Sequence, residues 1–380
     1  MKSQSFTAPS KRHRPALFVF AVCALALPLH AKSIKDLKYP HPMPAFITAV
    51  TTFGERPDWS HDGKRIVFLE KTCGDVFEVD LATRELTPLT HHYPHAGYTR
   101  ALYLANGDIL LSGARFYDPA SPGKSRSEAG AELWVLRPGS GKPPVALGAH
   151  CKEGPAVSRT QMKIAWAVNQ GLDLADIVYT ADGTPGLSNR VTLLREADLP
   201  RPESLIEAQN FRPGAEHELI FNIYTKRDNY LSEAYGFDTR TGKLTDYTKS
   251  PTRYSEPEGI FPDGKYTLLE SSRHRHNAPG KMNYDGIDLY VVALDGSGAT
   301  QRLTFFNEDP VFKCTQGVVS DDGRYLAFQL SKTTDETGYG YGVMVMDIGA
   351  YMAAQGIRLP VGEQPREVQG SSTNAANLNK

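Results

Sequence analysis

Pro57-Asp58-Trp59-Ser60-His61-Asp62-Gly63-Lys64-Arg65-Ile66-Val67-Phe68 reads as an apolar run, a tight turn and a second apolar run. Asp-Gly supplies the positive-φ residue that a two-strand turn needs, and β-forming residues flank it. The same shape recurs in Gly317-Val318-Val319-Ser320-Asp321-Asp322-Gly323-Arg324-Tyr325-Leu326-Ala327-Phe328 and in Gly259-Ile260-Phe261-Pro262-Asp263-Gly264-Lys265-Tyr266-Thr267-Leu268-Leu269. Weaker copies stand at Asn106-Gly107, Ser158-Arg159-Thr160 and Arg212-Pro213-Gly214. The six turns, at positions 63, 107, 160, 214, 264 and 323, are spaced by 44, 53, 54, 50 and 59 residues. Propeller repeats run to about 40–50 residues per four-stranded blade, and loop insertions account for the excess.

A second half-repeat follows most turns. Val76 to Leu81 with Leu86 to Thr90 reads as two more strands, and Asp288 to Ala293 with Gln301 to Thr304 matches it. Ala234-Tyr235-Gly236-Phe237-Asp238-Thr239-Arg240-Thr241-Gly242-Lys243-Leu244 is a third copy. Four strands per unit and six units predict an all-β, six-bladed propeller over residues 54–350. The pattern P-x-W-S-x-D-G-K-x-I-x-F, followed by x-D-L-x-T and L-T, resembles the WD40-like (PD40) repeat of TolB-like propellers. The resemblance spans roughly residues 50–350. It is strong in blades one, five and six and worn in two, three and four. It implies the fold, and a choice of roles, because such repeats serve periplasmic scaffolds, peptidase propellers and oligogalacturonate lyases alike. Residues 32–53 leave no room for the α/β domain that precedes the propeller in TolB, so that protein's partner-binding role is not implied.

Outside the repeat, residues 1–31 read as a signal peptide. Lys2, Lys11, Arg12 and Arg14 precede an apolar stretch from Ala16 to Leu27, and Ala31 offers a cleavage site. A retained anchor, or lipidation at Cys23, is the alternative. Cleavage would remove four of 42 basic residues and none of the 43 acidic ones, leaving 38 against 43 and a net charge of −5. That balance, without a long basic run, argues against nucleic acid. The expected protein is periplasmic or secreted and monomeric, with no membrane span once the signal is gone. Ala45 to Val50 is the expected ring-closing strand for blade six, with Gly356 to Val361 as its rival. Residues 351–380 read as a largely disordered tail, rich in Ser, Asn, Gln and Gly towards its end. The three cysteines of the mature chain, Cys73, Cys151 and Cys314, form no CxxC pair. Free thiols are expected, with Cys73–Cys314 as the alternative pairing.

The innermost strand of each blade lines a propeller's axis. Counting back seven residues from each turn gives Arg56, Arg100, Glu153, Glu207, Pro257 and Gln316, with Glu256 and Glu258 flanking the proline. Charges of both signs are thus expected around the channel mouth. Three insertions, 113–130, 273–285 and 332–342, fall on the same face, which makes that end the expected binding face. The blade-five insertion opens on Arg273-His274-Arg275-His276. Its H-x-H spacing puts both rings on one side of an extended chain, and the arginines suit carboxylate ligands. The ligand-binding set read from the sequence is therefore Arg56, Arg100, Glu153, Glu207, Glu256, Glu258, Arg273, His274, His276 and Gln316. Exposed loop histidines and mutually neutralising charges are the blander explanation of the same residues.

No G-x-S-x-G elbow, P-loop, HExxH or GxGxxG-helix motif occurs. The expected function is a scaffold in the cell envelope that binds a protein, a small molecule or an oligosaccharide, with no cofactor. The alternative is a lyase or hydrolase on acidic oligosaccharides, for which a histidine-bound divalent metal is the lesser expectation.

Overall fold

The computed structural model describes residues 43–118, 120, 130–168, 171–200, 204–225, 231–275, 286–335 and 338–359. Residues 1–42, which include the segment expected to be a signal peptide, and residues 360–380 lie outside them. The described residues form six four-stranded antiparallel sheets, the blades of a β-propeller. Blades one to five span 55–88, 100–150, 152–195, 204–246 and 255–302, each in simple sequential strand order.

Blade six takes three strands from 312–347 and its outermost strand from the N-terminal Ile47–Ala49, with Ile47 opposite Met346. The ring is thus closed by the segment expected to do so. Residues 356–359, part of the rival segment, carry no strand.

All six turn positions lie between the first and second strands of their blades. Their chemistry repeats in detail. In blade one Ser60 Oγ donates to Asp62 Oδ1 at 2.6 Å, the Arg65 amide donates to Ser60 Oγ, and Gly63 takes φ of 66°. Ser320, Asp322, Tyr325 and Gly323 do the same in blade six. A side chain that hydrogen-bonds its own turn fixes the hairpin before any long-range contact forms.

Apolar side chains interlock between neighbouring blades. Trp59, Ile66 and Phe68 of blade one meet Ala327 and Val343 of blade six, and Trp59 Nε1 donates to Val318 O across that seam at 3.1 Å. Between blades four and five the apolar packing is thin: Ala234, Leu269, Tyr290 and Val292 form one small cluster, and Ile220, Tyr247 and Leu294 another. Polar residues hold the rest of that seam.

Residues 351–359, read from sequence as the start of the tail, are structured. The helix Ile348–Gln355 begins on Asp347, whose carboxylate accepts from the Ala350 amide, and ends on Gly356 at φ of 61°. It buries Ile348 and Tyr351 against the blade-five and blade-six core. Capping and burial together explain why the chain does not fray here. Cys73, Cys151 and Cys314 are not joined by disulfides. Among the described residues no helix is long and apolar enough to cross a membrane.

Candidate functional site

Backbone irregularity builds the axial site. The innermost strands of blades one and six change register between Glu55 and Asp58 and between Thr315 and Val318. Inside these bulges Arg56 and Gln316 adopt φ of 55° and 56°, unusual for residues with a side chain. A bulge re-aims a side chain, here towards the axis.

Gln316 is the hub. Its Oε1 accepts from Arg56 Nη1 at 3.4 Å and from Arg100 Nη1. Its Nε2 donates to Glu258 Oε1 at 3.0 Å and to Glu270 Oε1 at 3.2 Å, and its backbone amide donates to Glu270 as well. Arg100 continues the network with Nη2 on Glu207 Oε1 at 3.1 Å. The Arg100 side chain passes so close to Gly154 that a Cβ there would sit 2.5 Å from its Nε. Blade three therefore yields space to an arginine of blade two. Glu207 also accepts from Tyr224 Oη at 3.2 Å, while Glu256 accepts from Gln209 Nε2 at 3.2 Å and from the Tyr254 hydroxyl.

The network is buried: Arg56, Arg100, Glu207, Glu256, Glu258 and Glu270 are each at most 8% exposed. Burial pushes the carboxyls up, and their neighbours push further. Glu256 is raised by burial, then by Glu207 and Glu258; Glu258 by burial, then by Glu270. Burial and Glu256 drive Glu270 up to about 8. Among the described residues, Glu256, Glu258 and Glu270 each bring a carboxylate oxygen within 4.8 Å of the other two.

Six of the residues picked from the sequence thus meet at the axis: Arg56, Arg100, Glu207, Glu256, Glu258 and Gln316. Two do not join this hydrogen-bonded network. Arg273 donates to Thr248 O at 3.0 Å and to Ser255 Oγ, holding blade four to blade five. His274 lies between Tyr290 Oη and Asn307 Oδ1, both at 3.0 Å, and burial lowers its pKa. His276 and the Glu153 side chain lie outside the described residues. His91 and His95 both bond to Asp75. Sequence reasoning missed Glu270, Tyr224 and Tyr254, because the first two sit on second strands and none falls on the seven-residue count.

A second cross-axis network occupies the turn end. Arg159 of blade three donates to Asp321 of blade six at 2.8 Å, to Asp58 of blade one at 3.3 Å and to Trp59 O at 2.8 Å. His61 bridges Asp321 Oδ2 and Leu104 O. Its one sequence signal is that Arg159 stands where the stronger repeats carry Asp before the turn Gly.

The long connections expected on the mouth face do leave from it, since Arg100 pairs with Ser112 near the end of its blade's second strand. The described part of the blade-two connection carries Phe116, 81% exposed.

Neither a protein-family model nor a curated protein matches this sequence. Solved structures do. An oligogalacturonate lyase in complex with manganese is similar at 14% identity over 77% of each chain, with a TM-score of 0.47. TolB from Acinetobacter baumannii is similar at 16% identity over 77% of this chain and 65% of its own, with a TM-score of 0.43. A TolB-type protein from Agrobacterium tumefaciens is similar at 13% identity over 77% of this chain and 90% of its own, with a TM-score of 0.36.

Proposed function

We propose that this propeller is an exported binding scaffold of the cell envelope, taking a protein, a small molecule or an oligosaccharide on the face that carries the axial mouth and the long loops. The observation behind this reading is that the axial charges are buried and engaged with one another. Gln316 alone ties two arginines to two glutamates. Groups so engaged stiffen the ring and leave recognition to the rim, where Phe116 stands exposed beside Tyr117. Rigid scaffolds commonly bind through such loops.

A second reading, a lyase or hydrolase on acidic oligosaccharides, draws on Glu256. Its raised pKa beside Glu207 is what a general acid needs. One experiment separates the two. The purified mature protein is used to capture envelope proteins by crosslinking, and in parallel is incubated with uronate-containing oligosaccharides while new chain ends are counted. A partner captured by wild type and lost in Phe116→Ala supports the scaffold. Turnover that disappears in Glu256→Gln replaces it with the enzyme.

A further inference from the structure

Four carboxylates crowd the described part of the axial site: Glu207, Glu256, Glu258 and Glu270. Arg100 binds Glu207, and Lys313 acts on Glu270. Behind this buried ring Glu256, Glu258 and Glu270 each push a neighbouring carboxyl further up. Uncompensated carboxylates in such a setting are costly unless something else neutralises them.

A second observation points to a ligand. Asn222 is fully buried, and neither its Oδ1 nor its Nδ2 has a hydrogen-bond partner. Asn222 stands directly across from Glu207 in the blade-four sheet and two residues before Tyr224. Residues two apart share a face of a strand. Asn222 therefore shares the face from which Tyr224 reaches Glu207 and Glu256. A buried amide with no partner is rare and usually marks a water or an ion.

We propose that Glu256, Glu258 and Glu270 hold a hard divalent cation of the calcium class at the propeller axis, with Asn222 bonded to a water of its shell. The donor chemistry is all oxygen, which suits calcium, magnesium or manganese rather than a soft metal. The three carboxylate oxygens lie within 4.8 Å of one another, which admits the bonds of about 2.3–2.6 Å that calcium makes. Such an ion would pin blade five to blade six through Gln316, which bonds two of the three ligands. This inference does not depend on the scaffold reading, and it is incompatible with Glu256 as a general acid, since a carboxylate that ligates the ion carries no proton to give.

The test uses the mature protein, stripped with chelator and then supplied with calcium, magnesium or manganese chloride. Calcium at a hundredfold excess over Kd should raise the melting midpoint by about 3–5 °C. Terbium should bind in its place and emit when tyrosine is excited, because Tyr254 donates directly to Glu256. Glu258→Gln/Glu270→Gln keeps the shape of both side chains and should lose both responses while retaining its circular-dichroism spectrum. An unmoved midpoint in stripped wild type, with no terbium emission, would overturn the proposal and assign neutralisation to protons shared among the carboxyls. A larger shift with magnesium than with calcium would overturn the calcium assignment.

Discussion

Arg159 Nε stands 2.8 Å from Asp321 Oδ1, joining the turn of blade three to the turn of blade six, its opposite across the axis. The same guanidinium reaches Asp58, which burial holds above the usual carboxylate range despite the nearby charge of Arg159. Arg159→Met should therefore leave Asp58 buried without its counter-charge. The expected loss is about 2–3 kcal/mol, less than the roughly 3–5 kcal/mol of a fully buried pair because Asp321 is 31% exposed. Urea unfolding of the variant should show a lower midpoint with an unchanged slope.

His61 makes the stability of the same cluster depend on pH. Its hydrogen bond to Asp321 raises the pKa above 6.5, against burial and the charge of Arg159. The folded state thus binds the proton more tightly than the unfolded chain. This contribution is complete below pH 6.5 and is lost as pH rises through the folded pKa. Asp321 works in the opposite direction. Burial raises its pKa, but His61 and Arg159 outweigh that and hold it below 3.8, so its contribution is complete above 3.8 and fades as pH falls through the folded value. The pair supports the fold fully between about pH 3.8 and 6.5. Melting curves from pH 5 to 9 should show wild type losing stability relative to His61→Gln above neutrality. Parallel curves for the two proteins would remove His61 from this role.

How legible this was in the sequence depended on the range of the interaction. Asp62-Gly63, Asp263-Gly264 and Asp322-Gly323 form turns through residues two to five positions apart, and local chemistry of that kind can be read directly. Arg56 and Gln316 were found because a constant distance from the turn happens to fall inside a bulge. Glu270 was missed because it enters the site from a second strand through a hydrogen bond to Gln316, 46 residues away in sequence. Arg273 and His274 were picked by residue type, and their partners Thr248, Ser255, Tyr290 and Asn307 were not legible, because only the assembled ring brings them near. The helix was legible and overlooked: Asp347 before Ile-Gly-Ala-Tyr-Met-Ala-Ala-Gln, with Gly356 after it, is a capped helix-forming run.

That helix yields a prediction of its own. Asp347→Ala removes the cap on the Ala350 amide and should cost about 1 kcal/mol. Tyr351→Ala empties a site packed edge-on against Phe46, at 5.3 Å between ring centroids, and should cost about 3–4 kcal/mol. Phe46 immediately precedes the ring-closing strand, so Tyr351→Ala should loosen the seam of blade six first. Hydrogen exchange would show it as faster exchange at Asp347, whose amide donates to Phe46 O, while blade three keeps its protection.

Gln316 offers the sharpest test of the axial network, because two substitutions separate its roles. Gln316→Ala deletes the bonds to Arg56, Arg100, Glu258 and Glu270 together, and leaves buried charged groups short of partners. A loss of about 2–4 kcal/mol is expected. Gln316→Glu keeps the acceptor for both arginines but turns the donor facing Glu258 and Glu270 into a like charge. It should be at least as destabilising as Gln316→Ala at pH 8 and should recover on acidification, as protons relieve the repulsion. Urea midpoints at pH 5.5 and pH 8 for the two variants measure this directly. A pH response shared by Gln316→Ala and Gln316→Glu would mean that the repulsion lies among the glutamates themselves and not at position 316.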